Sequence, residues 1–255
     1  MDARVKQEGP GETGKGMVPT DIANPEYFHK VVDCQWACPT HTPVPEYIRL
    51  IAQGRYAAAY MLNWESNVFP GILGRVCDRP CEPACRRGRV QVGTETTAKD
   101  PDIRNAEPVA ICRLKRVAAD NKGEIDIFMP PVPATRNGKR VALIGAGPAS
   151  LTVARDLMPL GYHVVLFEKD RMGGGLMRTN IPSFRLPETV LDEEVGRILG
   201  FGVEVRFGTE VKSLKAVLAE GFDAVFIGTG APRGKDLDIP GRKQADANIH
   251  IGIDW

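Results

Sequence analysis

Six cysteines are the residues whose type and spacing could carry chemistry, and all of them lie in the first half of the chain. Three are spaced four residues apart in the stretch GRVCDRPCEPACRRGRV, with a proline in each gap. Thiolates bind zinc and iron-sulfur clusters and take part in redox reactions. We therefore treat the cysteines as a candidate metal or redox site. The six positions are Cys34, Cys38, Cys77, Cys81, Cys85 and Cys112.

Zinc and free buried thiols are the alternatives to an iron-sulfur cluster. Structural zinc sites usually contain two C-x2-C pairs, and the sequence contains none. Thiolates on proline-containing loops, together with the Cys38-Pro39 pair, favour at least one 4Fe-4S cluster.

A glycine-rich turn, VALIGAGPAS, is the second candidate site. Gly145 and Gly147 lie between a predicted strand and a predicted helix, and Glu168 ends the next predicted strand. The first glycine permits a tight turn, the second lets the backbone approach a pyrophosphate, and the helix N-terminus offers free N-H groups. Ser150 replaces the usual third glycine and is still small enough for close packing. The pattern predicts a dinucleotide site in which Glu168 binds the ribose hydroxyls.

The elements that must position these residues are of two kinds. The sequence first predicts short helices in VPEYIRLIAQG, GRYAAAYMLNWES and PVAICRLKRVAAD, with prolines excluding a continuous helix through the cysteine-rich stretch. Later, the β-branched runs KRVALIG, HVVLFE, VEVRFG and DAVFIGTG alternate with PASLTVARDLMPLG and PETVLDEEVGRILGFG, which have helical spacing. The predicted fold class is α + α/β, a helical domain followed by a partial Rossmann-like domain with a parallel sheet.

The boundary between the two parts is predicted at a proline-rich stretch. Residues 127–139, IFMPPVPATRNGK, contain three prolines and an Asn-Gly pair, which is typical of a linker. Residues 1–20 are rich in glycine and charge, and we expect a mobile tail there. This division leaves a helical, cysteine-containing domain at 21–126 and a dinucleotide-binding domain at 140–255.

Charge and hydropathy exclude several classes of partner. The net charge of +1 gives no electrostatic reason to expect a nucleic acid or a membrane surface. No apolar run approaches the ~18 residues of a membrane span, and the polar first residues contain no signal-peptide core. We therefore predict a cytoplasmic protein with no nucleic-acid or membrane partner, whose thiols stay reduced.

Several stretches together resemble one family. They are CQWACPTHTPVPEYIRLIAQGRYAAA, FPGILGRVCDRPCEPACRRGRV, PVAICRLKRVAAD, the glycine turn, GGGLMRTNIPSFRLP and FDAVFIGTGAPRGKDLDIPG. In this order they resemble the N-terminal part of the glutamate synthase small subunit and its relatives. Those relatives include the N-terminal region of dihydropyrimidine dehydrogenase and the large subunit of the bifurcating ferredoxin:NADP oxidoreductase.

The resemblance implies particular cofactors. The family has a helical domain with two 4Fe-4S clusters, followed by an FAD domain that an NAD(P)H domain interrupts. FAD, rather than NAD, would therefore occupy the glycine turn, and the NAD(P)H site would belong to the full-length protein. The residues implied to contact FAD are Gly145, Gly147, Ser150, Glu168, Gly174, Gly175, Leu176, Arg185, Val211, Gly230 and Ala231.

The sequence departs from the family at one of the two clusters. Family members carry a C-x2-C pair shortly before the position of Cys34, and here Glu26 and His29 lie near the missing thiols. One complete cluster is therefore expected. By the resemblance its ligands map onto Cys38, Cys77, Cys81 and a residue near Cys112, which could itself be the fourth thiolate. Cys34 and Cys85 would be left as the remainder of the second set.

The implied function is electron transfer. Electrons would pass from NAD(P)H through FAD to a 4Fe-4S cluster and on to an acceptor protein or domain, similar to the glutamate synthase large subunit or to a ferredoxin. Because family members continue beyond NIHIGIDW, we expect this chain to be a fragment that lacks the NAD(P)H domain. The alternative is a non-catalytic docking module, with zinc or no metal at its cysteines and a degenerate dinucleotide fold.

Overall fold

The computed structural model describes residues 32–88 and 107–253. The predictions for the tail at 1–20, for Glu26 and for His29 lie outside these ranges. In the first part of the described chain, up to residue 126, five α-helices form: α1 Asp33–Ala37, α2 Val44–Ala52, α3 Tyr56–Asn67, α4 Pro70–Val76 and α5 Ile111–Asp120.

The three helices predicted in this part are confirmed as α2, α3 and α5. A proline in the first turn of α2 suits the fixed backbone angle of that position, and Gly54 ends the segment with φ +72°. On α5, Ile111 and Ala118 are buried and pack with Val44, Tyr47 and Leu50 of α2 in one apolar cluster. Helices α1 and α4 were not predicted, because each is short.

Four parallel strands make up the sheet in the second part of the described chain, in the order β3-β2-β1-β4. Helices lie between successive strands, so the predicted fold class, α + α/β with a parallel sheet, is confirmed. The strands are β1 Arg140–Ile144, β2 His163–Phe167, β3 Glu204–Arg206 and β4 Ala224–Ile227, and the helices are α6 Pro148–Leu157, α7 Leu176–Thr179, α8 Glu188–Leu199 and α9 Leu214–Ala219.

The sheet is covered on both faces, as parallel sheets generally are. One face packs under α6 and α8, and the other under α9, where Val217 and Phe222 meet Phe167. The apolar cluster under α6 and α8 also contains Phe69 and Ile72 from the start of α4. The cysteine-containing part therefore contacts the sheet part through α4 and α8.

Residues 129–139 form neither helix nor strand, and β1 begins at Arg140. The division into domains stays a prediction. Over the ranges given above, no helix combines the length and apolar character that crossing a bilayer requires.

Candidate functional site

Helices α4 and α5 bring two of the cysteines together. Cys77 is the residue that ends α4, and Cys112 lies in the first turn of α5. The Cys112 Sγ is 3.4 Å from the carbonyl oxygens of both Leu73 and Gly74. A side chain at Gly74 would place its Cβ 2.8 Å from the Arg116 backbone, so the two helices touch through their main chains. This close approach fixes Cys112 against the last turn of α4.

Cys38 joins the group from the turn after α1. Its Sγ lies 3.3 Å from the Thr40 Oγ1 and 3.5 Å from the Thr42 Oγ1. Burial raises the pKa of this thiol, but its hydrogen bonds with the side chains and backbone of the two threonines outweigh burial and lower the pKa to about 7. Of the cysteines with a shifted pKa, Cys38 alone has it lowered, so the loop favours its thiolate.

Cys81 completes the group between α4 and α5. Burial raises the pKa of Cys81 to about 12, and the neighbouring thiols of Cys77 and Cys38 add to the increase. Burial also raises the pKa of Cys112, with Cys77 again contributing. These four thiols are thus close enough to influence one another electrostatically. We call Cys38, Cys77, Cys81 and Cys112 the thiol quartet.

Cys34 and Cys85 are the two remaining cysteines. Burial raises the pKa of Cys34, and Cys85 is the cysteine that adds to this shift. Cys85 is buried and Cys34 half-buried, and both are free thiols, like the members of the quartet. Cys34 also packs against the apolar cluster that contains Cys81. The assignment of the cysteines to one complete set of four and a remaining pair stays a prediction.

The quartet matches the ligand set of a 4Fe-4S cluster in number and in chemistry. Its thiols are free, and the backbone N-H of Arg79 donates to the Cys77 Sγ at 3.3 Å, the type of hydrogen bond that tunes clusters. No three His, Cys, Asp or Glu side chains of residues 32–88 and 107–253 converge on the position of a single metal ion. A four-iron cluster is a larger group, and its ligand sulfurs stand further apart.

The glycine turn follows β1 as predicted. Gly145 has φ +92°, and a Cβ there would lie 2.6 Å from the carbonyl oxygen of Gly228, which leaves room for no other residue. Ser150 is fully buried, and a Cβ on Gly228 would come within 2.2 Å of its Oγ. No side chain caps the N-terminus of α6. The turn therefore has the cradle shape and the uncapped helix start that a pyrophosphate needs.

Glu168 lies against this turn. Its Oε2 accepts a hydrogen bond of 2.6 Å from the Ala146 N-H, and its Oε1 accepts one of 2.9 Å from the Asp170 N-H. The carboxylate is buried and held by backbone donors, and each oxygen retains a lone pair for a ribose hydroxyl. The Thr209 N-H donates to the Glu168 carbonyl at 2.8 Å. The segment that follows β3 and leads to Val211 therefore lies beside the same site.

The GGG segment packs on the turn from the other side. Gly174 has φ +125° and donates its N-H to the Ala146 carbonyl at 2.8 Å. Gly175 has φ +53°, and a Cβ there would lie 3.0 Å from the Gly147 Cα. The structure thus brings the predicted glycines of the two segments into one cradle.

The other residues assigned to FAD lie further out. Leu176 begins α7 and is partly exposed, and Arg185 is exposed in the loop before α8. Gly230, with φ +69°, and Ala231 are exposed beyond the end of β4. Their contact with a cofactor stays a prediction.

Sequence reasoning missed the polar residues around the thiols. Thr40 and Thr42 come directly after the Cys38-Pro39 pair. Their closeness to a cysteine in the sequence was the signal that could have identified them. Glu82 accepts the N-H of Cys112 at 3.0 Å, and Lys115 is buried beside the quartet. Lys115 lies one helical turn after Cys112, so the helical period alone would have placed it on the same face.

Comparison with known proteins gives consistent matches. A family model described as dihydropyrimidine dehydrogenase domain II, 4Fe-4S cluster, matches residues 27–127. The beta subunit of NADP(+)-dependent formate dehydrogenase from Moorella thermoacetica is 35% identical, over 86% of this chain and 32% of its own length. The beta subunit of NADPH-Fe(3+) oxidoreductase from Geobacter sulfurreducens is 32% identical, over 92% and 34%.

The small chain of NADPH glutamate synthase from Mycobacterium tuberculosis is also similar, with 33% identity over 82% of this chain and 40% of its own length. The chain spans about a third of the length of the first two relatives.

Proposed function

Because the chain belongs to the family of the glutamate synthase small chain and of dihydropyrimidine dehydrogenase domain II, we propose that it is an electron-transfer unit. It binds one 4Fe-4S cluster at the thiol quartet and FAD at the glycine turn. The observation that supports this proposal is the close approach of α4 and α5, which holds the Cys112 Sγ 3.4 Å from the carbonyl oxygens of Leu73 and Gly74, in the last turn before Cys77.

The chain's own residues prepare the quartet for a cluster. Cys77 and Cys112 are held by the contact between α4 and α5, while Thr40 and Thr42 orient the Cys38 sulfur. Metal ligation requires thiolates, and burial keeps Cys81 and Cys112 protonated in the metal-free protein. Assembly of the cluster therefore releases protons from this site, and it is favoured by rising pH.

The glycine cradle performs the corresponding task for FAD. The N-H groups at the start of α6 would bind the pyrophosphate, Glu168 would accept hydrogen bonds from the ribose hydroxyls, and Gly145 would keep the backbone clear of both. When bound, FAD would accept a hydride and release its two electrons one at a time. The cluster would carry single electrons. The protein's contribution is to hold the two groups on packed elements that contact through α4 and α8.

In the whole protein, we propose that NAD(P)H is the electron donor and that the acceptor is a partner subunit or domain, like the glutamate synthase large subunit or a ferredoxin. This follows from the relatives, which carry names of NADPH-dependent enzymes and their subunits. Free thiols at all six cysteines suit a compartment that keeps thiols reduced, and we assign the protein to the cytoplasm.

The test is anaerobic purification of the full chain, followed by an iron and zinc count, an electron paramagnetic resonance spectrum of the reduced protein, and identification of released flavin. We expect about four irons per chain. Zinc in place of iron, or no metal in a chain with native circular dichroism, would contradict the cluster and favour the docking module. Absence of flavin, with iron present, would contradict the FAD assignment alone.

A further inference from the structure

Thr42 carries a buried hydroxyl group that contacts four polar side chains. The residue is fully buried, and its Oγ1 lies 3.0 Å from the Ser66 Oγ and 3.3 Å from the Asn67 Nδ2. The Thr40 Oγ1 is 3.1 Å away from it, and the Cys38 Sγ is 3.5 Å away. A hydroxyl group has one hydrogen to donate and two lone pairs that accept. The neighbours that donate to Thr42 therefore decide which of the others its own hydrogen reaches.

A chain of hydrogen bonds along α3 determines the orientation of the Asn67 amide. The backbone carbonyl of Ala59 only accepts, and the Asn63 Nδ2 donates to it at 2.8 Å. The Asn63 Oδ1 consequently faces Asn67, whose Nδ2 donates to it at 3.3 Å. The same nitrogen donates its second hydrogen to Thr42. Turning the Asn67 amide over would set two amide oxygens against each other, so this donor stays directed at Thr42.

Asn67 is a more constant donor to Thr42 than Ser66 is. The Ser66 hydrogen rotates about its hydroxyl bond and has a second acceptor, the Asn63 carbonyl, at 3.2 Å. The two N-H bonds of an amide lie in its plane and do not rotate in this way. The Asn67 Oδ1 meets no donor among residues 32–88 and 107–253. The amide is thus held through its nitrogen, with both hydrogens used.

The chemical state of Cys38 decides the direction of its contact with Thr42. As a thiol, Cys38 donates its hydrogen to the Thr42 Oγ1. As a cluster ligand it has lost that hydrogen, so its sulfur only accepts. The Thr42 hydroxyl then donates to the sulfur, because a hydrogen bond to a charged acceptor is stronger than one to the Thr40 hydroxyl. Donors from α3 occupy the lone pairs of Thr42 and leave its hydrogen for this bond.

We propose that Asn67 is a positioning residue that directs the Thr42 hydroxyl at the Cys38 sulfur and thereby raises the reduction potential of the cluster. The inference rests on the proposed function, since it requires a cluster with Cys38 among its ligands. Hydrogen bonds to the ligand sulfurs stabilise the reduced state, which is the more negative one. A buried hydroxyl that itself accepts hydrogen bonds becomes a stronger donor. Asn67 therefore acts on the potential through Thr42.

The experiment compares variants of the full chain, purified anaerobically with their clusters. Thr42→Val removes the hydroxyl and keeps the branched shape, whereas Thr42→Ser keeps the hydroxyl. Asn67→Leu removes both amide donors at a similar volume, and a further variant combines it with Thr42→Val. The readouts are iron content and the reduction potential, followed by electron paramagnetic resonance at a series of poised potentials.

Asn121→Leu is the matched control. The Asn121 amide also donates to a helix carbonyl, that of Val117, at 2.9 Å, but it does so at an exposed position just after α5. The same substitution there removes an amide donor that has no contact with Thr42.

For Thr42→Val we expect the reduced-to-oxidised ratio at a fixed potential to fall about threefold to tenfold, which is about 28 to 59 mV for a one-electron couple. Asn67→Leu should lower the ratio at least about twofold, or about 18 mV. The double variant should match Thr42→Val, because a residue that acts through the hydroxyl has no effect once the hydroxyl is gone. Thr42→Ser and Asn121→Leu should stay close to the wild type.

Three results would overturn the inference and leave the proposed function intact. The first is an unchanged potential in Thr42→Val or in Asn67→Leu. The second is a double variant whose shift is the sum of the single shifts, since Asn67 would then act independently of Thr42. The third is a shift in Thr42→Ser as large as that in Thr42→Val, which would assign the effect to packing. A wild-type chain without iron would overturn both proposals.

Unfolding in urea of the metal-free proteins decides the case in which Thr42→Val or Asn67→Leu does not retain its cluster. Loss of iron from a metal-free chain about as stable as the metal-free wild type supports an action on the sulfur. Loss of iron with a clearly less stable metal-free chain would show that the residue is needed for folding, and would overturn the inference.

Discussion

Replacing Glu194 by glutamine should change how the stability of the chain depends on pH. Glu194 is on α8, is 3% exposed and reaches across to the cysteine-containing part. Its Oε1 accepts from the Gly71 N-H at 2.7 Å and the Tyr60 hydroxyl at 3.0 Å, and its Oε2 accepts from the Ile72 N-H at 3.0 Å. It thereby caps the N-terminus of α4, the helix that ends at Cys77.

Two effects compete for the pKa of this carboxyl group. Burial disfavours the charged form, while the three hydrogen bonds favour it, and burial prevails, so the pKa rises from 4.5 to about 7. A raised pKa stabilises the folded state fully below the unfolded pKa, and this stabilisation is lost as pH rises through the folded pKa. At about 1.4 kcal/mol per pKa unit, the loss between about pH 5 and about pH 8 is about 2 to 3 kcal/mol.

The assay is urea unfolding of the full chain at both pH values, followed by circular dichroism. Between the lower and the higher pH, Glu194→Gln should gain about 2 to 3 kcal/mol relative to the wild type, because glutamine does not ionise. Glu193→Gln is the control from the next position. Hydrogen bonds from Lys122 and Arg197 overcome burial and hold the pKa of Glu193 below 4.5, so its contribution is lost only as pH falls below that window.

A difference that does not depend on pH would refute the reasoning. If the difference between Glu194→Gln and the wild type stays constant from about pH 5 to about pH 8, the donors of α4 and Tyr60 outweigh burial, and Glu194 is a charged helix cap throughout that range.

Three further outcomes are expected. Cys77→Ser should abolish iron binding and Cys34→Ser should not, as an iron count would show; equal loss from both would mean that the quartet is chosen wrongly. Gly145→Ala should lower stability by about 2 kcal/mol or more in urea and weaken flavin retention, whereas Gly196→Ala, in open space on a helix, should raise stability by about 0.5 to 1 kcal/mol. Arg155→Met removes a guanidinium that lies 4.7 Å from the ring of a buried tryptophan and donates to its carbonyl, and thermal unfolding should show a loss of about 1 to 2 kcal/mol.

The sequence contained enough local signal for most of the fold. After a first polar residue, the runs HVVLF and RVALI are apolar and contain β-branched residues, which is typical of central parallel strands, and they form β2 and β1. The glycine turn was recognisable because Gly145 must adopt a backbone angle that other residues avoid. These features depend on neighbours within a few residues.

Helix α4 is an element that the residues close to it in sequence do not predict. Its seven residues, PGILGRV, include two glycines, and their intrinsic preference for a helix is poor. The helix forms because Ile72 is buried in the sheet's core and because Glu194, more than a hundred residues later, caps its first turn. Contacts between distant parts of the chain have no signature in a short window of sequence.

The sequence indicated which residue types make up the candidate site better than it indicated which cysteines belong together. Even spacing made Cys77, Cys81 and Cys85 look equivalent, and only the resemblance to a family divided them. In the structure Cys85 is the cysteine that adds to the raised pKa of Cys34. Lys115 was readable as a residue of the buried face of α5.

The contact at Gly74 has a consequence for the speed of electron transfer. Main chain touches main chain where α4 crosses α5, so Cys77 and Cys112 belong to one stiff body. Close-packed interiors deform little. For the cluster proposed here, a stiff frame means that the sulfur positions suit both charge states, and little nuclear rearrangement accompanies the arrival of an electron. A methyl group at position 74 would be enough to separate the two helices, and the rigid placement of the two sulfurs would then be lost.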